Sequence, residues 1–443
     1  MVMMYFVLRH NISNFVRFVS AGGPTFGIRC IWGRTTFIAV LCAVGATQIT
    51  GCAHSGESST TAAQKIIIIG GDFATSGADA TAGVLTEDGA LLAIEQESKK
   101  GLPGGYVLRA QMLDDTVNGV HDEGQGVRNV QSLIENPQVV AIVGPQNSSV
   151  ARAEIPVANE AKIALVSPTT TSVGLTDDAS GAAALRRANP GYHDFFRTVL
   201  RDDLQGSADA DYAYHHLHAR RAYVIDDNES YGLGIADVFA RAFAHDGGTV
   251  LERSHLTAGQ QDFMPLLTRA QGMHPDLVYF GGVVSSGAGL LRRQMVKLGM
   301  TSTFMGGDGI KEDGFILSGG AAANGAYCSD GAPDLDAMPE ASQFLKDYAA
   351  RFPGQLLGTY SANAYAAAEV VAEAIRHAME SDGGVPPTRE QVVAEIARST
   401  TPNTPLGPIA FTPSGDVTTP VVSFWTVRGG KFVFISQQRK VLR

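Results

Sequence analysis

Across 443 residues the chain carries only 4 cysteines and 2 tryptophans. Cysteine this sparse excludes a small domain framed by disulfides. No stretch is rich in Lys or Arg, and 44 acidic against 34 basic residues give a formal charge of −10. That balance excludes a nucleic-acid partner, which would need a basic footprint. Also missing are GxSxG, HExxH, GxxxxGK(S/T) and a GxGxxG following a strand. The usual hydrolase, zinc, nucleotide and dinucleotide signatures are therefore absent, so neither an enzyme nor a cofactor is expected. What the chain does have is 44% hydrophobic residues over a length greater than one ordinary domain. This suits two lobes with substantial cores.

The first 51 residues carry Arg9, Arg17, Arg29 and Arg34 but no Asp or Glu, and run into the apolar stretch FIAVLCAVGA. Phe37 to Ala46 is too short to cross a bilayer, where about 20 residues are needed, and the pattern reads as an export signal. Ile49-Thr50-Gly51-Cys52 resembles a bacterial lipobox, which implies that Cys52 becomes a lipid-bearing mature N-terminus; the plain alternative is one more cysteine in an apolar region. Cleavage there would leave 30 basic against 44 acidic residues. AHSGESSTTAAQ, residues 53–64, is small and polar and reads as a flexible tether that follows Cys52. Cys328 is then left without a partner, and no internal disulfide is expected.

From Lys65 onward apolar runs alternate with helical patterns. KIIIIGG is a short continuous apolar run ending in glycines, as in a buried parallel strand. There follow a helix over TEDGALLAIEQESKK, strand YVLRAQMLDD, helix GVRNVQSLIEN with Val127, Val130, Leu133 and Ile134 on one face, strand VVAIVG, helix SVARAEIPVANEA and strand IALVSP. A second series after Gly206 repeats this logic through RAYVIDD, TVLERSHL, DLVYFGG and TFMGG. The rhythm is βαβ and predicts an α/β fold of two Rossmann-like lobes with parallel sheets. An Ala-rich helix is expected over 361–378, and VVSFWTVRGGKFVFI reads as a closing hairpin.

In open α/β sheets ligands sit beyond the carboxyl ends of the strands. Those ends here read PQNSSV, SPTTTS, NESYGLG, VVSSG and DG, rich in hydroxyl, amide or carboxylate and poor in Lys and Arg. The inventory suits a small zwitterion: hydroxyls and helix-start N–H groups for a carboxylate, carbonyls and one carboxylate for an ammonium. Asp308 in GGDG is the candidate carboxylate. Against this stand ordinary roles: Ser148 or Ser149 as a helix cap, Asp308 as a turn residue.

GPQNSSVARAEIPVANEAKIALVSPTTT, with RTVLRDDLQG, DDNESYGLG, DLVYFGG, TFMGGDG and GPIAFTPSGD in order, resembles the type I periplasmic binding proteins, specifically the leucine/isoleucine/valine-binding family that feeds ABC importers. The resemblance covers nearly the whole chain from Lys65. It implies that Ser148 and Thr171 meet the ligand carboxylate, that the Thr169 carbonyl and Asp308 meet the ammonium, that Tyr231 closes from the second lobe, and that Tyr360 lies against the side chain. It also implies a hinge crossed near 197–202, 328–333 and 412–419, with lobe 1 formed by 65–198 plus 332–411 and lobe 2 by 199–331 plus 412–443. Departures from the family pattern are Asn147 for a cysteine, and Val283 and Ala82 for aromatic walls. The expectation is an extracytoplasmic, monomeric receptor with no metal, delivering a small ligand to ABC permease subunits. The alternative is a ligand sensor built on the same fold. His215, His216 and His218 suggest a metal, but they fall at an expected helix C-terminus with no carboxylate or Cys beside them in sequence.

Overall fold

The computed structural model describes residues 64–439. The export segment, Cys52 and all but the last residue of the tether lie outside the described residues. Among these, no helix is long and apolar enough to cross a membrane.

The chain opens with β1 (Lys65–Phe73), α1 (Ala80–Lys100), β2 (Tyr106–Asp114), a short hairpin of β3 (Thr116–Val117) and β4 (Val120–His121), and α2 (Glu123–Glu135). It continues with β5 (Val139–Val143), α3 (Ser148–Ala161), β6 (Ala164–Ser167), the single turn α4 (Ala182–Leu185) and β7 (Phe195–Arg197). These strands form a parallel sheet in the order β2-β1-β5-β6-β7. The run KIIIIGG is apolar throughout because both its faces are covered. Ile67 and Ile69 join the core under α1, while Ile68 packs on the opposite side with Val130, Leu133 and Ile155.

The second series runs α5 (Asp202–Asp211), β8 (Arg221–Asp226), α6 (Ser230–His245), β9 (Thr249–His255), α7 (Met264–Gly272), β10 (Leu277–Gly281), α8 (Ala288–Lys297), β11 (Thr303–Gly306), α9 (Asp313–Gly319) and β12 (Tyr327–Asp330). The chain then returns to the first lobe through α10 (Ser342–Arg351), α11 (Ser361–Ser381), α12 (Arg389–Arg398) and a β13–β14 ribbon (Thr400–Thr404, Gly407–Ala410). It ends with β15 (Val421–Arg428) and β16 (Lys431–Arg439) in the second lobe. The closing hairpin adds an antiparallel edge to the parallel strands of lobe 2. The lobe 2 sheet, β16-β15-β12-β11-β10-β8-β9, is mixed, because β15 pairs antiparallel with β12 and carries β16 outside it. A two-residue turn at Gly429-Gly430, both at positive φ, reverses the chain, so these two strands can only be antiparallel to each other.

Two helices differ from their sequence reading. Helix α1 begins at Ala80, well before TEDG, and the buried face of α2 is centred on Gly126, Asn129, Val130 and Leu133, leaving Val127 and Ile134 half-buried. Asn129 is drawn inward because its amide donates to Asp72 Oδ1 (2.6 Å) and to the Asp114 carbonyl (2.9 Å). The Ala-rich face of α11 is buried as expected and lies against α1, where Gly89 permits the approach; a Cβ there would stand 2.0 Å from the Ser361 carbonyl oxygen.

The chain passes between the lobes three times, after β7, after β12 and after β14. A fully buried Arg197 ties the first and third passages together. Its Nε donates to Asp416 Oδ1 (2.8 Å), and its Nη1 donates to the carbonyls of Thr170 and Ser172 (both 3.0 Å). The same guanidinium therefore braces the hydroxyl-rich loop after β6.

Candidate ligand-binding cleft

The carboxyl ends of both sheets face one cavity of about 110 Å³. That is several times the ~10–15 Å³ a single water requires, so the space suits a small organic ligand. Ser148, Thr169, Thr171, Tyr231, Asp308 and Tyr360 all line it, as do Asn147, Ala82 and Val283.

The lobe 1 wall is built from strand ends and a helix start. Neither Ser148 nor Ser149 caps α3: the N-cap residue is Asn147, and its side chain makes no capping bond. The first N–H groups of a 14-residue helix thus lack a side-chain acceptor, and such a terminus favours an anion. Ser148 Oγ accepts from the Ser172 N–H (3.3 Å), which places its hydroxyl between the two loops. The three threonines divide their roles. Thr169 Oγ1 donates to the Gln146 carbonyl (2.7 Å), and Thr170 Oγ1 donates to Ser167 Oγ (2.8 Å). Thr171 Oγ1 is buried without a hydrogen-bond partner. Its nearest acid is the buried Asp202 carboxyl, and of the three hydroxyls it is the one a ligand can engage without breaking a well-formed bond.

The lobe 2 wall is centred on Asp308, which follows β11. Tyr231 donates its hydroxyl to Asp308 Oδ1 (2.8 Å) and accepts from the Gly309 N–H (3.1 Å). Tyr360, from the start of α11 in the other lobe, donates to Asp308 Oδ2 (2.8 Å) and accepts from the Gly331 N–H (3.3 Å). Each phenol has a backbone N–H filling an acceptor position, so its proton points at the carboxylate. Gly309 must be glycine for this, since a Cβ would stand 2.5 Å from the Gly282 carbonyl oxygen and 2.9 Å from the Tyr231 ring. Burial pushes the Asp308 carboxyl above its ordinary value, against the pull of the Tyr360 and Tyr231 bonds. Behind it, burial raises Asp209 and Asp330 each to about 7 and Asp202 well above the carboxylate range, with Asp308 adding repulsion in each case. A carboxylate hemmed in by other acids, with no basic side chain on it, is suited to a cation from outside.

Sequence reasoning missed a contact that joins the lobes at the cavity's edge. His121, on β4, places Nδ1 2.8 Å from Asp79 Oδ2 and Nε2 2.8 Å from Glu229 Oε2. Asp79 precedes α1 in lobe 1 and Glu229 precedes α6 in lobe 2. With a carboxylate on each nitrogen, the ring must donate from both and is an imidazolium. Burial alone would lower its pKa, but the bonds and charges of Asp79 and Glu229 outweigh this and raise it to about 10. The signal was in TVNGVH: Asn118 and Gly119 both have positive φ, the turn that Asn-Gly marks between short strands. Also missed were Lys311, Glu312 and Asp313, which line the cavity just after Asp308.

The histidine run also differs from its reading. Helix α5 stops at Asp211 and a wider turn follows, so His215 comes near Asp211 and Asp246, carboxylates that the fold supplies. His216 stacks on Tyr212 instead. Nothing further marks this exposed group as a site.

The chain is similar to known proteins over most of its length. Residues 67–431 match a family described as "Periplasmic binding protein". The Leu/Ile/Val-binding protein BraC3 of Rhizobium johnstonii is 29% identical over 359 residues, 81% of this chain and 90% of that protein. Among solved structures, the leucine-binding protein LivK of Thermotoga maritima superposes with a TM-score of 0.72 at 25% identity, covering 84% of this chain and 98% of that one. The branched-chain amino acid transporter substrate-binding protein LivJ of Streptococcus pneumoniae, solved with isoleucine, gives 0.71 at 24% identity over 85% and 99% of the two chains.

Proposed function

Since the chain belongs to the periplasmic binding protein family, we propose that it captures an α-amino acid, of branched-chain type or an analogue, between its lobes and hands it to a membrane permease. At the coarser level the chain is an extracytoplasmic solute-binding protein of the ABC-importer kind, a binder and not an enzyme. The observation that carries the amino-acid reading is the Asp308 carboxylate, clamped by Tyr231 and Tyr360 and lacking a basic partner, across the cavity from the uncapped start of α3. A zwitterion would satisfy both walls at once. Its carboxylate would take the Thr171 and Ser148 hydroxyls and the N–H groups of α3. Its ammonium would take Asp308 and the Thr169 carbonyl.

Lobe 1 would hold the ligand first, and rotation about the segments 197–202, 328–333 and 412–419 would bring up Asp308 and Tyr231. Closure expels water, and each charged hydrogen bond strengthens in the lower dielectric. The closed form is then what a permease distinguishes from the empty protein. A lipid on Cys52 would keep the receptor at the membrane, and the excess of acidic residues in its body would hold that body off anionic headgroups. Nothing in this cycle needs a second copy of the chain.

The test is calorimetric titration of ligand-free protein with amino acids, their N-acetylated and deaminated analogues, short peptides and polyols. Free α-amino acids should bind and analogues lacking the ammonium should not. Binding confined to ligands without an α-ammonium would overturn the assignment of Asp308.

A further inference from the structure

Once a ligand's carboxylate and ammonium are matched, the rest of the cavity wall selects its side chain. Four ionisable groups on that wall remain: Asp79, Lys311, Glu312 and Asp313. Asp79 is occupied by His121 at 2.8 Å. The Lys311 ammonium lies over the Trp425 ring, 4.1 Å from its centroid, and 3.7 Å from Asp330 Oδ2. Asp313 is open to solvent. Glu312 is half-buried, lines the cavity, and has neither an ion-pair nor a hydrogen-bond partner on its carboxyl group. Burial, then the charges of Asp79 and Asp308, push this group well above the carboxylate range. A ligand filling the cleft would strip water from a carboxyl in that position, which is costly unless the ligand itself meets it.

Its surroundings say what could arrive. The segment holding Glu312 leads into α9, whose second residue, Gly314, comes close to the start of α1 across the cleft; a Cβ on it would stand 3.1 Å from Thr81 Oγ1. Ala82 and Val283 line the same cavity, neither of them aromatic. An aliphatic ligand side chain there would cover Glu312 and leave it without water or a partner. One ending in a cation would pair with it.

Keeping the amino-acid reading of the head group, which it presupposes, but replacing the branched-chain side chain, we propose that Glu312 is a specificity-determining residue and that the ligand is a basic α-amino acid whose distal ammonium or guanidinium meets the Glu312 carboxylate. Two carboxylates without protein cations, Asp308 and Glu312, then face the two positive groups of one ligand. The net charge of −10 would favour the approach of such a cation.

The experiment titrates ligand-free protein with L-lysine, L-ornithine, L-arginine, L-leucine and L-isoleucine, in the wild type and in Glu312→Gln, with thermal melts to establish folding. At least one basic amino acid should bind tenfold or more tighter than leucine. Glu312→Gln should weaken it about 10- to 100-fold, the loss expected for a hydrogen bond to a charged group, while leaving leucine unchanged or tighter. Tight leucine or isoleucine binding with no response to the basic ligands would overturn the role of Glu312 and leave the head-group reading intact. Equal weakening of all ligands by Glu312→Gln would do the same. No binding of any amino acid by the folded wild type would overturn the head-group reading and this inference with it. The wild-type panel is decisive even if the variant does not fold.

Discussion

The two walls of the cleft are chemically opposite. Lobe 1 offers hydroxyls, amides and a helix start with no unpaired charge, while lobe 2 offers a clamped carboxylate backed by Asp202, Asp209 and Asp330. A ligand held by one wall alone would use half of its polar groups. One carrying both charges would bridge the walls, so its full binding energy would be released only when the lobes meet, and closure would thereby be coupled to occupancy. The walls also differ in how they are held. Lobe 1 presents its groups from adjacent loops braced by Arg197, whereas Asp308 depends on Tyr360 from the opposite lobe.

The largest test of this division is Asp308→Ala. Removing the carboxylate would leave a ligand ammonium unpaired in a closed cleft and cost about 2–5 kcal/mol of binding. Calorimetry would show affinity falling by about two orders of magnitude; a loss under threefold would return Asp308 to the role of a turn residue. On the other wall, Thr171→Val keeps the volume and removes one hydroxyl. It should cost about 1.5–3 kcal/mol if that hydroxyl meets a carboxylate, and the loss should vanish for an amino-acid amide. Equal losses for acid and amide would mean that lobe 1 does not read the carboxylate.

A further test concerns the contact joining the walls and reads stability, not affinity. The His121 pKa is about 10 in the folded protein against an ordinary 6.5. A raised pKa adds stability that is complete below about pH 6.5 and is lost as pH rises through about 10. The difference in melting temperature between wild type and His121→Ala should therefore be larger at pH 6.5 than at pH 9. Glu229→Gln should shift stability by under about 1 kcal/mol, since Glu229 is 37% exposed. A His121→Ala difference independent of pH would show that the ring acts by packing and not by charge.

Much of lobe 1's wall was legible in the chain. GPQNSS and SPTTT are contiguous, each follows an apolar strand, and the division among Thr169, Thr170 and Thr171 follows from local geometry around Ser167 and Gln146. Lobe 2's wall was legible only at Asp308. Its phenols arrive from positions 77 residues before and 52 after it, and Glu229 meets His121 across 108 residues. No spacing rule spans such separations. The closing hairpin was legible but its place beside β12 was not, because a hairpin's sequence specifies how its own two strands pair, not which neighbour they join.

The sequence by itself determined the two α/β lobes, their mostly parallel sheets and the polar strand ends, since hydrophobic periodicity and turn residues act over a few positions. Only the tertiary structure decided which charges find partners. Asp79 gains His121 and Asp308 gains two phenols, whereas Glu312 gains nothing. Pairing of a charge depends on distances of a few ångströms between groups far apart in the chain, and those distances exist only once the lobes are folded and face each other.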